Sequence, residues 1–293
     1  MGAKEKSLVC DLTTGNVSSQ LLIFATPLLL SGLLQTVYNI ADVAIVGKVV
    51  GSDCLAGVSV GGDILHTLTF VAVGFSNAGQ VLISQFIGAG EHGRVRQVIG
   101  TLFAFLTLCA IVITVGCLLF REQILRIMNT PPEAWEYALS YISICFCGTV
   151  FIYGYNLVSA ILRGMGDSRH PFLFIAFATV LNIVLDLLFV LGLGMAALGA
   201  ALATVIAQAA SFFLSLLFFC GRRSLLGITL TPAGFRIHRA VFIPLLRLGI
   251  PMILQSASIT LSKMFISSNV NAYGVLAAAV TGIGNKLDAA FVA

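Results

Sequence analysis

Long apolar runs separated by short polar breaks organise this sequence. Reading from break to break gives spans at 21–47, 54–87, 95–120, 135–162, 171–193 and 198–219, then 241–270 and 275–293. A helix of about 20 apolar residues crosses the hydrocarbon core of a bilayer, and most of these runs are at least that long. None shows the alternation of apolar and polar residues that marks the strands of an outer-membrane barrel. The pattern predicts an all-α, polytopic membrane protein.

Composition agrees, since 58% of the residues are hydrophobic and only 10% are charged. An ordinary soluble domain carries about 25% charged residues. Mean hydropathy is +1.03. The formal net charge of +4 is small and dispersed, which argues against a nucleic-acid partner. The placement of the basic residues is more telling. With the N-terminus inside, the inner segments hold Lys4, Lys6, Arg94, Arg96, Arg163, Arg169, Arg222, Arg223, Arg236, Arg239 and Arg247, against Lys48, Arg121 and Arg126 outside. This is the positive-inside pattern, and it predicts a multi-pass protein of the cell membrane with a cytoplasmic N-terminus. The first 20 residues lack the apolar core of a cleavable signal, so the first span doubles as the targeting signal.

The most basic interruption, "CGRRSLLGITLTPAGFRIHRAVF", reads as a linker between halves. After it the opening of the first span returns: "LLIFATPLLLSG" has its counterpart in "LLRLGIPMILQS", with Pro27 over Pro251. Both copies start from the cytoplasmic side, so the repeat is parallel and related about the membrane normal. The expected organisation is a cytoplasmic tail (1–20), a six-helix lobe (21–219), a linker (220–240) and the first two or so helices of a second lobe (241–293). A second lobe of six helices needs about four more spans, so a fragment or truncated product is expected.

Polar residues inside the spans are the candidate chemistry. Asp42 breaks the first apolar run, and an acid at membrane depth costs roughly 2.5–3.5 kcal/mol on insertion scales, which is why such residues tend to mark sites. Gln35, Asn39 and Asp42 are spaced 4 and 3, on one helix face. In the fifth span Thr179, Asn182 and Asp186 repeat the arrangement with spacings 3 and 4, and in the sixth Thr204, Gln208 and Ser211 form a third stripe among small residues. Burial disfavours an ionised carboxylate and a second carboxylate disfavours it further, so such a cluster can take up a proton near neutral pH or surround Na⁺ with oxygens. The plainer reading makes each Asp a hydrogen-bonding group between helices, or a side chain that snorkels to water.

Asp63 is a third acid, facing an external vestibule or structural, with His66 on the same face and expected to be held by packing. Lys263 aligns with Asn39 in the repeat and shares a face with Ser256, Thr260 and Ser267, so it should line an aqueous cavity or pair with an acid. Lys286 and Asp288 read as helix-end charges. Cys109, Cys117, Cys145 and Cys147 lie in apolar spans and are expected to pack as small hydrophobes, with Cys145 and Cys147 on different faces. "GAGEHG", Gly88 to Gly93, has dinucleotide-motif spacing but follows an apolar helix and not a strand. No P-loop, H-E-x-x-H or G-x-S-x-G occurs, so no enzyme activity is expected.

Four stretches, "VYNIADVAIVGKVVG", "LISQFIGAGE", "AILRGMGDSRHPF" and "NIVLDLLFVLGLGMAALGAALATVIAQ", resemble the multidrug and toxic compound extrusion (MATE) transporters. The resemblance runs from about Leu21 to the end of the chain. It implies a twelve-helix, two-lobe antiporter that exports amphipathic or cationic drugs by alternating access in exchange for H⁺ or Na⁺, with no other cofactor, acting as a monomer in the lipid bilayer. Asp42, Asn182 and Asp186 stand at the family's coupling-ion positions, with Na⁺ as one ion the three could ligate, and Thr204 at a nearby hydroxyl position. Gln35, Asn39, Asp63, Gln255 and Lys263 are the substrate-cavity candidates, with Met252, Met264 and Phe265 beside them. A lipid-linked sugar flippase of the same superfamily is the alternative within transport, although it would want more Arg and Lys than Lys263 supplies. A truncated, non-transporting membrane remnant is the alternative outside it.

Overall fold

The computed structural model describes residues 16–221 and 236–292, with the backbone alone at 17, 38–44, 46, 48–49, 259–261, 264 and 285–292. Among these residues there are helices and no strands. They are α1 (Val17–Val49), α2 (Ser52–Gly88), α3 (His92–Leu119), a short α4 (Arg121–Ile127), α5 (Trp135–Gly164), α6 (Arg169–Asp186) continued by a π-helical segment (Leu187–Gly192), α7 (Ala196–Gly221), α8 (Arg239–Asn271) and α9 (Val275–Val292). Seven of the helices are long and apolar enough to cross a membrane, so the chain is a multi-pass membrane protein. The predicted spans map onto α1, α2, α3 and α5 to α9. The surplus is α4, a surface helix too short to span.

Local sequence sets several boundaries. Asn16 caps α1 by accepting the Ser18 backbone N–H at 3.0 Å. "GAGEHG" is the turn between α2 and α3, with Gly90 at φ 72 and Glu91 paired to Arg94 at 3.0 Å. Asp167 closes the α5–α6 turn by accepting the His170 backbone N–H at 3.1 Å. Both α1 and α8 run for 33 residues with prolines inside, Pro27 in α1 and Pro244 and Pro251 in α8.

Helix α2 sits at the centre, packed against α3, α5, α8 and α9. In lipid no hydrophobic force draws helices together, so close approach through small residues matters more than in water. Gly57 and Gly61, four apart on α2, provide it. A Cβ on Gly57 would lie 2.8 Å from the Ala138 backbone nitrogen, and one on Gly61 would lie 2.5 Å from Tyr141 Cδ1, both on α5. The core divides into two layers, one containing Leu82, Leu102, Tyr153 and Leu245, the other Val58, Ile64, Phe146 and Ala200.

The membrane face on which α1 starts collects Arg94, Arg96, Arg163, Arg169, Arg236 and Arg239 at helix ends. Hydrogen bonds knit this face together. Arg163 donates to Gln80 Oε1 at 2.9 Å, Ser84 donates to the Gly164 carbonyl at 3.0 Å, and Thr101 on α3 accepts the His238 backbone N–H at 3.1 Å just ahead of α8. Arg121 and Arg126 lie at the opposite face. Residues 1–15 and 222–235, with Lys4, Lys6, Arg222 and Arg223, lie outside the described residues.

Candidate functional site

Helix α6 is apolar on the outside and polar on the inside, the reverse of a soluble amphipathic helix. Leu173, Phe177, Val180, Val184, Leu187 and Leu191 form an exposed stripe at spacings of 3 or 4, while Phe174, Ala178, Thr179, Asn182, Asp186 and Val190 are buried. The predicted inward face of Thr179, Asn182 and Asp186 is therefore real. Asn182 is 2% exposed and Asp186 1% exposed.

The pair is wired to α7. With its amide turned so that both ends are satisfied, Asn182 donates from Nδ2 to Asp186 Oδ2 at 2.9 Å and accepts from the Thr204 backbone N–H at 3.2 Å. Thr204 is itself buried, and about two helical turns further on Ser211 donates to the Phe174 carbonyl of α6 at 3.4 Å. Asp186 ends the α-helical part of this span, and the chain continues into the π turn. Such widened turns recur at functional sites, because their altered hydrogen-bond register leaves backbone groups available for other partners.

Helix α1 packs on α6, the π segment and α7. Asp42 and Asn39 are on this helix, and their side chains lie outside the described residues. Their backbone positions can still be compared in depth at 1.5 Å per residue. Asp42 is seven residues before the end of α1 and Asp186 six before the end of the π segment, so both lie about 10 Å beneath the face opposite the N-terminus. Thr204, eight residues into α7, lies about 12 Å beneath it.

The cavity candidates separate into levels. Asp63, half-buried on α2, and Lys263, exposed on α8, are about 16 and 12 Å beneath the same face. Their helices meet closely, since a Cβ on Gly74 would lie 2.3 Å from Ile253 Cγ1 and one on Gly249 would lie 2.4 Å from Phe75 Cδ1. Counting up both helices from these contacts brings Asp63 and Lys263 to one level. His66 sits within electrostatic reach of Lys263 and packs edge-on against Phe70, ring centroids 5.3 Å apart. Gln35 and Gln255 are exposed and lie deeper, roughly 21 and 24 Å from that face. Met252 is half-buried and Phe265 exposed, while the side chains of Met264, Lys286 and Asp288 are outside the described residues.

One expectation needs correction. Cys145 and Cys147 do fall on different faces, but only Cys145 packs inside. Cys147 is exposed, because a two-residue step on a helix turns it about 200° away from the interior. Sequence reasoning also missed the π segment and the bond from Thr204 to Asn182. The Gly-x-Gly of "VLGLGM" was the one visible hint of an irregular helix end.

Comparison with known proteins follows the same lines. A family model described as MatE matches residues 27–188. The chain is 34% identical over 278 residues to a probable multidrug resistance protein, YpnP, of Bacillus subtilis strain 168, covering 95% of this chain and 62% of that one. It is 23% identical over 265 residues to the multidrug export protein MepA of Staphylococcus saprophyticus, covering 90% and 58%. The chain thus spans about three fifths of the length of these curated relatives. Among solved structures it superposes on an outward-facing multidrug resistance MATE family transporter with TM-score 0.80 at 26% identity, covering 99% and 68%. It also superposes on an inward-facing one with TM-score 0.77 at 28% identity, covering 85% and 56%.

Proposed function

This chain belongs to the MATE family, and on that ground we propose that it serves the export of drugs or organic cations across the cell membrane, driven by the return of a cation. Its N-terminus is cytoplasmic in this reading, which the collection of arginines on one face supports. Asp42, Asn182, Asp186 and Thr204 make the coupling-ion site. Gln35, Asn39, Asp63, Gln255 and Lys263 contribute to the path of the drug.

The observation that carries the reading is the burial of Asp186 on a membrane helix whose other face is wholly apolar. A carboxylate held there is expensive unless it gains something from changing its charge or its ligand. Exchanging a proton or a cation is such a change. Asn182 bears on the choice of cation. It offers Asp186 an N–H while its own oxygen faces the Thr204 N–H of α7, so bringing that oxygen to a Na⁺ at Asp186 would require the amide to turn, and a proton, which needs no such turn, is the cation of this reading.

Alternating access follows from differential binding. The ion and the drug each favour one conformation, and neither can shift the equilibrium beyond the ratio of its affinities for the two. That similar folds are seen both inward-facing and outward-facing supports two accessible arrangements.

The test is ethidium efflux in an efflux-deficient host and in membrane vesicles under an imposed pH or Na⁺ gradient. Asp42→Asn and Asp186→Asn should each abolish efflux with the protein still in the membrane, and the pH gradient alone should drive the parent. Near-normal efflux by both variants overturns the coupling site. Transport driven only by Na⁺ overturns the choice of proton.

A further inference from the structure

The end of α8 makes a set of contacts that neither packing nor the ion site requires. Helix α4 ends at Ile127, so the carbonyls of its last turn have no partner within the helix. Some are satisfied locally: Thr130 Oγ1 donates to the Leu125 carbonyl at 2.9 Å and the Asn129 N–H to Arg126 at 3.0 Å. Two carbonyls are satisfied from 140 or so residues away. Ser268 Oγ donates to the Ile127 carbonyl at 3.1 Å, and Asn271 Nδ2 donates to the Met128 carbonyl at 3.0 Å. Asn129 returns the contact by donating to Ser268 Oγ, also at 3.0 Å. It does so from a left-handed backbone at φ 48, a conformation that Asn tolerates better than other side chains with a Cβ. The polar tip of α8 therefore caps α4 in trans.

Each of these bonds is neutral. The two that involve Ser268 are exposed, so water can replace either partner and they are cheap to break and remake, whereas the Asn271 bond to Met128 is buried and carries more of the hold. Beside them is a pocket of about 400 Å³ lined by Arg126, Thr130, Pro132, Trp135 and Gly274, so the junction is not sealed by apolar packing. Below them α9 lies close against α2. A Cβ on Gly282 of α9 would lie 2.2 Å from Ser59 Oγ of α2, and both residues are seven positions in from their helix starts, about 10 Å beneath the junction.

We infer that Ser268, Asn271 and Asn129 form a releasable latch, which holds the α8–α9 unit to the six-helix lobe at the face opposite the N-terminus and must open for the α2–α9 seam to admit water or drug from that side. The latch rests on the alternating-access reading for its purpose, but its opening can be measured without transport. Ser59→Cys places a reporter thiol on the seam, and the purified protein in nanodiscs exposes both faces to a water-soluble maleimide. Labelling at position 59 is followed by peptide mass spectrometry, which separates it from the native cysteines. Two loosened forms are compared with the parent: Ser268→Ala with Asn271→Ala, and Asn129→Gly, whose backbone suits φ 48 without strain.

Both forms should label about tenfold faster than the parent, which is ~1.4 kcal/mol of lost closure. Rates within twofold of the parent in both forms overturn the latch. Ethidium efflux is measured on the same variants reconstituted into sealed vesicles. Faster labelling with no efflux by the parent leaves the latch standing and removes the transport reading, whereas normal parental efflux with unchanged labelling does the reverse.

Discussion

Gly61 and its neighbour Gly62 offer a test of helix packing in which intrinsic propensity cancels. Replacing Gly by Ala inside an exposed helix stabilises it by roughly 1 kcal/mol, so on propensity alone both substitutions should help. The surroundings differ completely. A Cβ at Gly62 meets nothing within 4 Å, whereas one at Gly61 would sit 2.5 Å from Tyr141 Cδ1 and 3.1 Å from Ile142 Cγ2. Carbon atoms rest about 3.5–4.0 Å apart, so α2 and α5 must separate by about 1 Å or the Tyr141 ring must turn. Tyr141 is 5% exposed and Ile142 fully buried, so the ring has little space to turn into. Overpacking of this kind costs about 1–3 kcal/mol. Gly61→Ala should therefore be destabilised by up to about 2 kcal/mol net, and Gly62→Ala unchanged or slightly stabilised. Thermal unfolding in detergent, followed by fluorescence-detected size exclusion, reads this as a drop of several degrees against none, at roughly 2–4 °C per kcal/mol. Equal melting temperatures for the two variants would refute the claim that close approach at Gly61 holds α2 to α5.

Two further outcomes are expected. Asn182→Leu keeps much of the volume but removes the donor to Asp186 and the acceptor for the Thr204 N–H. It should cut ethidium efflux at least about tenfold while lowering stability by about 1–3 kcal/mol, and efflux at the parental rate would show that Asn182 does not govern Asp186. Thr101→Val keeps the shape of a fully buried side chain and removes the hydroxyl that accepts from His238 and donates to the Arg236 carbonyl. The stranded His238 N–H should cost about 1–3 kcal/mol, with Thr101→Ser restoring it, and limited proteolysis ahead of α8 should speed up in Val alone.

The helices were legible because a bilayer demands length and apolarity, and both are written in consecutive residues. The inner face of α6 was legible for the same reason in reverse: Thr179, Asn182 and Asp186 recur at helical spacing in an otherwise apolar span. Contacts across the fold were a different matter. Asn129 and Asn271 look like ordinary helix-end asparagines, and nothing local says that one caps a carbonyl beside the other. Gly57 and Gly61 have the spacing of a packing motif, yet only the structure names α5 as the partner. The exposure of Cys147 was implied by its two-residue step from Cys145, and an apolar context hid it, since lipid accepts a thiol as readily as a core does.

The levels of these features bear on one another. Asp42, Asp186 and Thr204 lie about 10–12 Å beneath the face that carries the latch, at the depth where Ser59 meets Gly282. In the proposed reading, an ion released at this depth would have a short path to that face and a long one to the arginine-rich side. For exchange, the site must also be reachable from the far side, where the regular part of α6 lies, while the π turn fills the stretch between Asp186 and the near face. Opening at the latch changes access without disturbing the Asn182 contact, which is made within the six-helix lobe. Two helices in this structure link the regions concerned: α1 lies against α6 and α9, and α2 carries the seam. In the proposed reading this is what an acid on α1 adds to the one on α6: a charge change at Asp42 would act on a helix that touches both α6, which carries Asp186, and α9.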